Sequence, residues 1–203
     1  MQQVFQNAYR DNIWGDPESV SGPGSGLRRT EAFRDRIPAL LEELEARSLI
    51  DAGCGDFNWI KELRLSLDWY LGVEIVPELA MRNQQTYSDG IRQFVHGNIA
   101  RDDLPQADVV LCRDCLVHFS FEDARAALCN FKRSGSAYLL ATTFVEHETN
   151  LDIETGGWRP LNMERPPFRF PPPLKAIDEK CLHTGGIYAD KRLALWRLAD
   201  IAA

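Results

Sequence analysis

Apolar positions along this chain fall into short runs separated by segments with helical repeats. From Thr30, a plausible N-cap, Phe33, Ile37, Leu40, Leu41 and Leu44 recur at helical spacing with Glu42, Glu43 and Glu45 on the other face. This predicts one amphipathic helix bent at Pro38. Ser48 to Asp51 is a short apolar run stopped by Gly53 and Gly55, the pattern of a buried strand feeding a tight turn. The alternation then repeats. Helical patterns cover 59–67, 77–85 and 121–131, and strand patterns cover 69–73, 91–95, 108–112 and 137–143.

Strands alternating with helices over roughly a hundred residues predict an α/β fold, a doubly wound, mostly parallel sheet with helices on both faces. Residues 186–198 read as a closing antiparallel hairpin, which brings the sheet to seven strands. Residues 1–29 are polar and glycine-rich, ending in Ser21-Gly22-Pro23-Gly24-Ser25-Gly26, and read as a lid or leader before a single domain over 30–203. Within that domain, residues 144–186 form a proline-rich loop, and a loop of that length is usually functional.

Composition narrows the function classes. With 203 residues, 44% hydrophobic and 26% charged, the chain suits one folded domain. Its 23 Lys and Arg against 30 Asp and Glu give a net charge of −7, so nucleic acid is not expected as a partner. Met1 to Asn12 has neither a basic flank nor an apolar signal core, and no stretch approaches a membrane span. A cytoplasmic protein without a membrane partner, monomeric or homodimeric, is expected. Five cysteines without framework spacing read as reduced thiols, Cys112 and Cys115 among them, and no Asp/Asn cluster has metal-ligand spacing, so no metal is expected.

The strongest chemical signal is Asp51-Ala52-Gly53-Cys54-Gly55-Asp56. Glycines after a buried strand let the backbone approach a nucleotide-like ligand. Glu74 ends the second strand about twenty residues later, where Rossmann-type sites place a carboxylate for a ribose diol. The Gly-x-Gly-x-x-Gly of dinucleotide enzymes is incomplete, with Asn58 at the third position, which disfavours a nicotinamide-dependent oxidoreductase.

These residues, with Gly97-Asn98-Ile99, resemble the signature segments of class I S-adenosylmethionine-dependent methyltransferases, over about 48–143. The whole pattern resembles a small bacterial subgroup. The resemblance implies S-adenosylmethionine as cofactor. Gly53 and Gly55 would approach its methionine part, Glu74 its ribose, and Asn98 and Ile99 its adenine, with Asp51 and Cys54 of the same turn also among the cofactor-binding residues. Asn98 stands where the family usually has Asp. The segment after the fourth strand, with Arg113, Asp114 and His118, would pass beneath the methyl group. His118 suits proton removal near neutral pH, and Asp114 would orient it or serve as the base once its own pKa is raised.

Strand-end loops build the acceptor pocket in this architecture. Trp158 suits ring stacking, and Arg159, Asn162 and Thr143 suit an anionic or hydroxyl-rich acceptor. Trp14 and Ser21 lie in the lid-like segment and are expected against acceptor and cofactor, respectively. The expected activity is methyl transfer to a small molecule, preferably a hydroxyl oxygen of a sugar or secondary metabolite. Nitrogen methylation and a non-catalytic S-adenosylmethionine-binding protein are the alternatives.

Overall fold

The computed structural model describes residues 1–182 and 184–202. Among the described residues there are five α-helices: α1 (Gln2–Arg10), α2 (Leu27–Arg34), α3 (Arg36–Glu43), α4 (Pro77–Tyr87) and α5 (Phe121–Arg133). Seven strands, β1 (Ser48–Ala52), β2 (Trp69–Glu74), β3 (Arg92–His96), β4 (Val109–Cys112), β5 (Tyr138–Phe144), β6 (Lys175–Asp178) and β7 (Lys191–Arg197), form one sheet in the order β3-β2-β1-β4-β5-β7-β6. The first five pair in parallel, and β7 runs antiparallel to both β5 and β6.

Side chains alternate across a strand, so each buried strand supplies two cores. Leu49, Leu111 and Leu140 meet Phe33, Ile37, Leu40 and Leu41 of α2 and α3 on one face. Ile50, Val110, Cys112, Leu139 and Trp196 meet α4 and α5 on the other, together with Phe5 of α1. Helix α5 is well specified locally. Ser120 Oγ accepts from Asp123 N at 3.1 Å, acidic Glu122 and Asp123 stand in the first turn, and Lys132 and Arg133 stand in the last, matching the helix dipole.

Four local expectations are corrected. The helix from Thr30 is two helices, because Pro38 has no N–H for the Arg34 carbonyl and its ring crowds that carbonyl. Its start is also earlier: Gly26 is the N-cap, and Thr30 sits inside with its hydroxyl donating to the Gly26 and Leu27 carbonyls. Residues 59–67 contain only a single 3-10 turn, Ile60–Glu62, because Leu63, Leu65 and Leu67 alternate and favour extended chain. The hairpin's first arm is β6, inside the expected loop, rather than 186–190. The N-terminal leader contains α1, which buries Phe5 and Ala8.

The rest of the long loop is held by its polar side chains. Arg159 is buried, and its three nitrogens donate to the carbonyls of Leu151 (3.1 Å), Leu116 (2.9 Å) and Phe119 (2.5 Å). Asn162 donates to the Val145 and His147 carbonyls, and Thr143 Oγ1 accepts from Met163 N at 3.1 Å. Arg159→Met removes one donor group from three carbonyls, so a loss of roughly 3 kcal/mol is expected. Urea unfolding that moves by less than a few tenths of this would contradict such a locking role.

Candidate active site

The strand order reverses between β1 and β4, and ligands in such sheets bind outside the carboxyl ends of strands at that point. Both chemical segments of the sequence end there. After β1 the chain turns at Gly53 (φ +83°) and Gly55 (φ +56°), and Gly53 N and Cys54 N both donate to the Val73 carbonyl. A β-carbon at Gly53 would stand 2.7 Å from Cys115 Sγ, and one at Gly55 would collide with Ser21 Oγ.

Glu74, at the end of β2, is buried and binds this turn. Its Oε2 accepts from Gly55 N at 3.0 Å and its Oε1 from Val76 N at 2.9 Å. No Lys, Arg or His forms an ion pair with it among the described residues, and burial pushes its carboxyl up despite the backbone N–H groups, Val76 and Gly55 foremost, that hold it down. A carboxylate has about four acceptor sites. Two are used, and Glu74 lines a cleft of about 730 Å³ beside Gly53, Gly55, Ile75 and Ile99. A vicinal diol suits the remaining two, and the apolar walls at Ile75, Val76, Leu79 and Ile99 suit a flat ring.

The N-terminal segment closes this cleft from above. Phe5, Tyr9, Trp14, Val20 and Ser21 line it. Val20 N donates to Asp56 Oδ2 at 3.0 Å, Asp56 N to Ser21 Oγ at 2.8 Å, and Asn58 Nδ2 to Glu18 Oε1 at 2.9 Å and the Ser25 carbonyl at 3.0 Å. Asp56 and Asn58 depart from a glycine-rich dinucleotide loop, and both clasp this segment. Gln6 and Arg10 of α1 meanwhile bind Glu78 at the start of α4.

Beyond β4, Asp114 adopts φ +52° and its N–H donates to Thr142 Oγ1 at 2.8 Å. Lys191 Nζ lies 2.6 Å from Asp114 Oδ2 and 3.1 Å from Glu179 Oε2, and Arg113 makes a two-pronged pair with Glu179. Burial works to raise the Asp114 carboxyl, but Lys191 and Arg113 overcome it and hold the group well below the usual carboxylate range. Asp114 is therefore a fixed anion and does not become a base through a raised pKa. His118 sits in the turn Leu116–His118, its Nδ1 2.8 Å from the Gly157 carbonyl. A carbonyl only accepts, so Nδ1 carries the proton. In the neutral ring Nε2 is then left with a lone pair, and burial pulls the imidazole below its ordinary value, against the opposing pull of Gly157 and Asp114.

A second cleft, about 940 Å³, shares Trp14, Ser21, Asp114 and His118 with the first and adds Trp158, Tyr188, Lys191 and Arg29. Gly53, Gly55, Glu74, Ile99, Ser21, Asp114, His118, Trp14 and Trp158 thus all line one cleft or the other. Several expected site residues do not. Arg159, Asn162 and Thr143 have their polar groups committed to the loop backbone as described. Arg113 lies below the floor, its guanidinium over Phe33 and Trp59 at 4.8 and 5.2 Å from the ring centres. Cys54 is buried in the core on the α2–α3 face. Asn98 uses its side-chain oxygen to accept from Ala100 N, leaving Gly97 and Ile99 at the cleft wall. Asp51 accepts from the Tyr70 hydroxyl at 2.6 Å, one layer beneath the turn. Lys191, Tyr188 and the Gly157 carbonyl were not singled out as site groups. A lysine at the start of a strand whose centre, Leu193 to Trp196, is apolar is the available signal for the first. Among the described residues no group of three or more His, Cys, Asp or Glu side chains is placed to hold a metal, and no helix is long and apolar enough to cross a membrane.

Asp51 provides a pH test of this geometry. Burial pushes its carboxyl up to about 7, with Tyr70 opposing, from the ordinary ~3.9. A carboxyl whose folded value is raised favours the protonated folded form, so its contribution is complete below about pH 4 and is lost as pH rises through about 7. The loss is on the order of 4 kcal/mol. Thermal unfolding from pH 4 to 8 should fall less steeply in Asp51→Asn than in the wild type, and parallel curves would contradict the assignment.

The family model described as "Methyltransferase domain" matches residues 50–136, which run from β1 to just beyond α5. No curated protein matches the chain. Among solved structures, the chain superposes on 1,6-didemethyltoxoflavin-N1-methyltransferase of Burkholderia thailandensis with a TM-score of 0.60 at 16% identity, covering 97% of this chain and 86% of that one. It superposes on human N-acetylserotonin methyltransferase at 0.63 and 13% identity, covering 96% and 59%. Magnesium protoporphyrin IX methyltransferase of Synechocystis PCC 6803 follows at 0.53 and 19%, covering 72% and 71%. Residues 50–136 thus resemble a methyltransferase domain, and the seven-stranded sheet shares the fold of these solved methyltransferases.

Proposed function

We propose that the chain transfers a methyl group from S-adenosylmethionine to a hydroxyl oxygen of a small molecule, with the donor in the Glu74 cleft and the acceptor in the Trp158 cleft. The observation that carries this reading is that the two clefts meet at His118, whose Gly157 contact leaves Nε2 as a proton acceptor. Residues 1–29 act as the cover of both, excluding water around Trp14 and Ser21. A small-molecule acceptor is in keeping with the neighbours, whose names include a didemethyltoxoflavin and an N-acetylserotonin methyltransferase.

Bound S-adenosylmethionine supplies a methyl carbon already activated by its sulfonium, so the protein's contribution is chiefly placement. Glu74 would hold the ribose, and Ile75 and Ile99 would face the adenine. His118 Nε2 takes the acceptor's hydroxyl proton. Asp114, kept anionic by Lys191 and Arg113, favours the imidazolium that results.

His118→Asn keeps an amide donor for the Gly157 carbonyl and removes the proton acceptor. With methyl-labelled S-adenosylmethionine and a hydroxylated acceptor found by screening, kcat should fall about 10²–10⁴-fold while S-adenosylhomocysteine affinity stays within threefold. In the wild type, kcat/KM should rise with pH through a value below the ordinary ~6.5 of histidine and then level off. Unchanged kcat, or a rise that survives in His118→Asn, would contradict the role given to His118.

A further inference from the structure

The acceptor cleft is built from unlike walls. Phe144, Trp158 and Tyr188 form a triangle of edge-packed rings, with centroids 6.1, 5.7 and 5.0 Å apart, and Trp158 is 43% exposed. Large exposed aromatics are costly to leave in water, and here one is held upright by two others beside a base. Of the lysine and arginine among the described residues lining the cleft, Lys191 is held by Asp114 and Glu179. Arg29, on the solvent side of α2, forms no ion pair with a described residue.

We propose that the acceptor is a planar phenol carrying an anionic group, stacked on the Trp158–Tyr188 wall with its anion at Arg29 and its hydroxyl at His118. This inference rests on the methyl-transfer reading above and names its substrate class.

The chemistry of the base favours a phenol over a sugar hydroxyl. His118 is pulled below ~6.5 by burial. A phenol, at ~10, is within a few units of such a base, whereas an aliphatic hydroxyl lies near the ~16 of water. A sugar hydroxyl is therefore a poor partner for this imidazole. In the step, the phenol O–H proton passes to His118 Nε2 as the oxygen bonds the methyl carbon. The carbon–sulfur bond breaks with its electron pair on sulfur, leaving the neutral thioether. Arg29 contributes a flat, two-pronged donor matched to a carboxylate.

The test is calorimetric titration of the protein saturated with S-adenosylhomocysteine, using 4-hydroxybenzoate, its methyl ester and methyl glucoside. It is paired with turnover of 4-hydroxybenzoate and 3,4-dihydroxybenzoate with S-adenosylmethionine. The acid should bind more tightly than the ester, and the glucoside should not bind. Arg29→Gln should weaken the acid roughly tenfold and leave the ester unchanged. Trp158→Ala should weaken both aromatic ligands by about tenfold or more. In both variants the affinity for S-adenosylhomocysteine should stay within threefold of the wild type. Failure of the phenols to bind, turnover of a sugar in their place, or an acid-to-ester preference untouched by Arg29→Gln would overturn the proposal with the donor reading intact. Failure of S-adenosylhomocysteine itself to bind would instead overturn the donor reading, and this proposal with it.

Discussion

A side chain at residue 55 would occupy the space that Ser21 Oγ fills. That missing β-carbon lets the N-terminal segment settle onto the turn after β1, where Ser21 caps Asp56 N and Asp56 in turn receives Val20 N. The same backbone gives Gly55 N to Glu74, so one glycine joins three elements: the β1 turn, the end of β2 and the cover. Trp14 then reaches His118, with 5.6 Å between ring centres. The junction between the two clefts is consequently made by the cover as much as by the sheet. A free leader would leave the first cleft without Tyr9, Trp14, Val20 and Ser21.

Electrostatics divide the site into a fixed part and a responsive part. Arg113, Glu179 and Lys191, all buried, form with the half-buried Asp114 a charge-balanced quartet whose geometry ties β4 to the start of β7 and to the chain following β6. Breaking up such a set is costly because each removal strands a buried charge, so the quartet keeps Asp114 ionised and in place. His118 stands outside it with one ring nitrogen committed to a carbonyl and the other unbonded by protein among the described residues. Fixed charge beside a titrating ring is a physical arrangement suited to accepting a proton without reorganising the wall around it.

The sheet is legible because buried parallel strands read as continuous apolar runs, and the places of the β1 turn and Glu74 at the strand ends because glycines and an acid stop those runs. Residues 59–67 misled because Trp59, Ile60 and Leu63 match a helical stripe as well as the start of an alternating run, and only packing beneath α2 and α3 chose between them. Strand β6 was hidden by the prolines before it, and its short, mostly exposed run has little hydrophobic pattern. Arg159 and Asn162 bind the loop's own carbonyls. A guanidinium or amide beside a cleft binds a ligand or a loop's own carbonyls with the same donors, and which one it does depends on where the backbone goes. Conversely, Asp56 and Asn58 looked like departures from a glycine pattern, and their contacts give them a purpose in holding the cover.

The account stands most directly on the occupant of the Glu74 cleft. Isothermal titration of S-adenosylhomocysteine into wild type and Glu74→Ala, with NAD as the control ligand, reads that occupant without needing an acceptor. Micromolar binding by the wild type, weakened at least a hundredfold in Glu74→Ala and absent for NAD, is the predicted result. No binding by the wild type, or equal binding by Glu74→Ala, would contradict it.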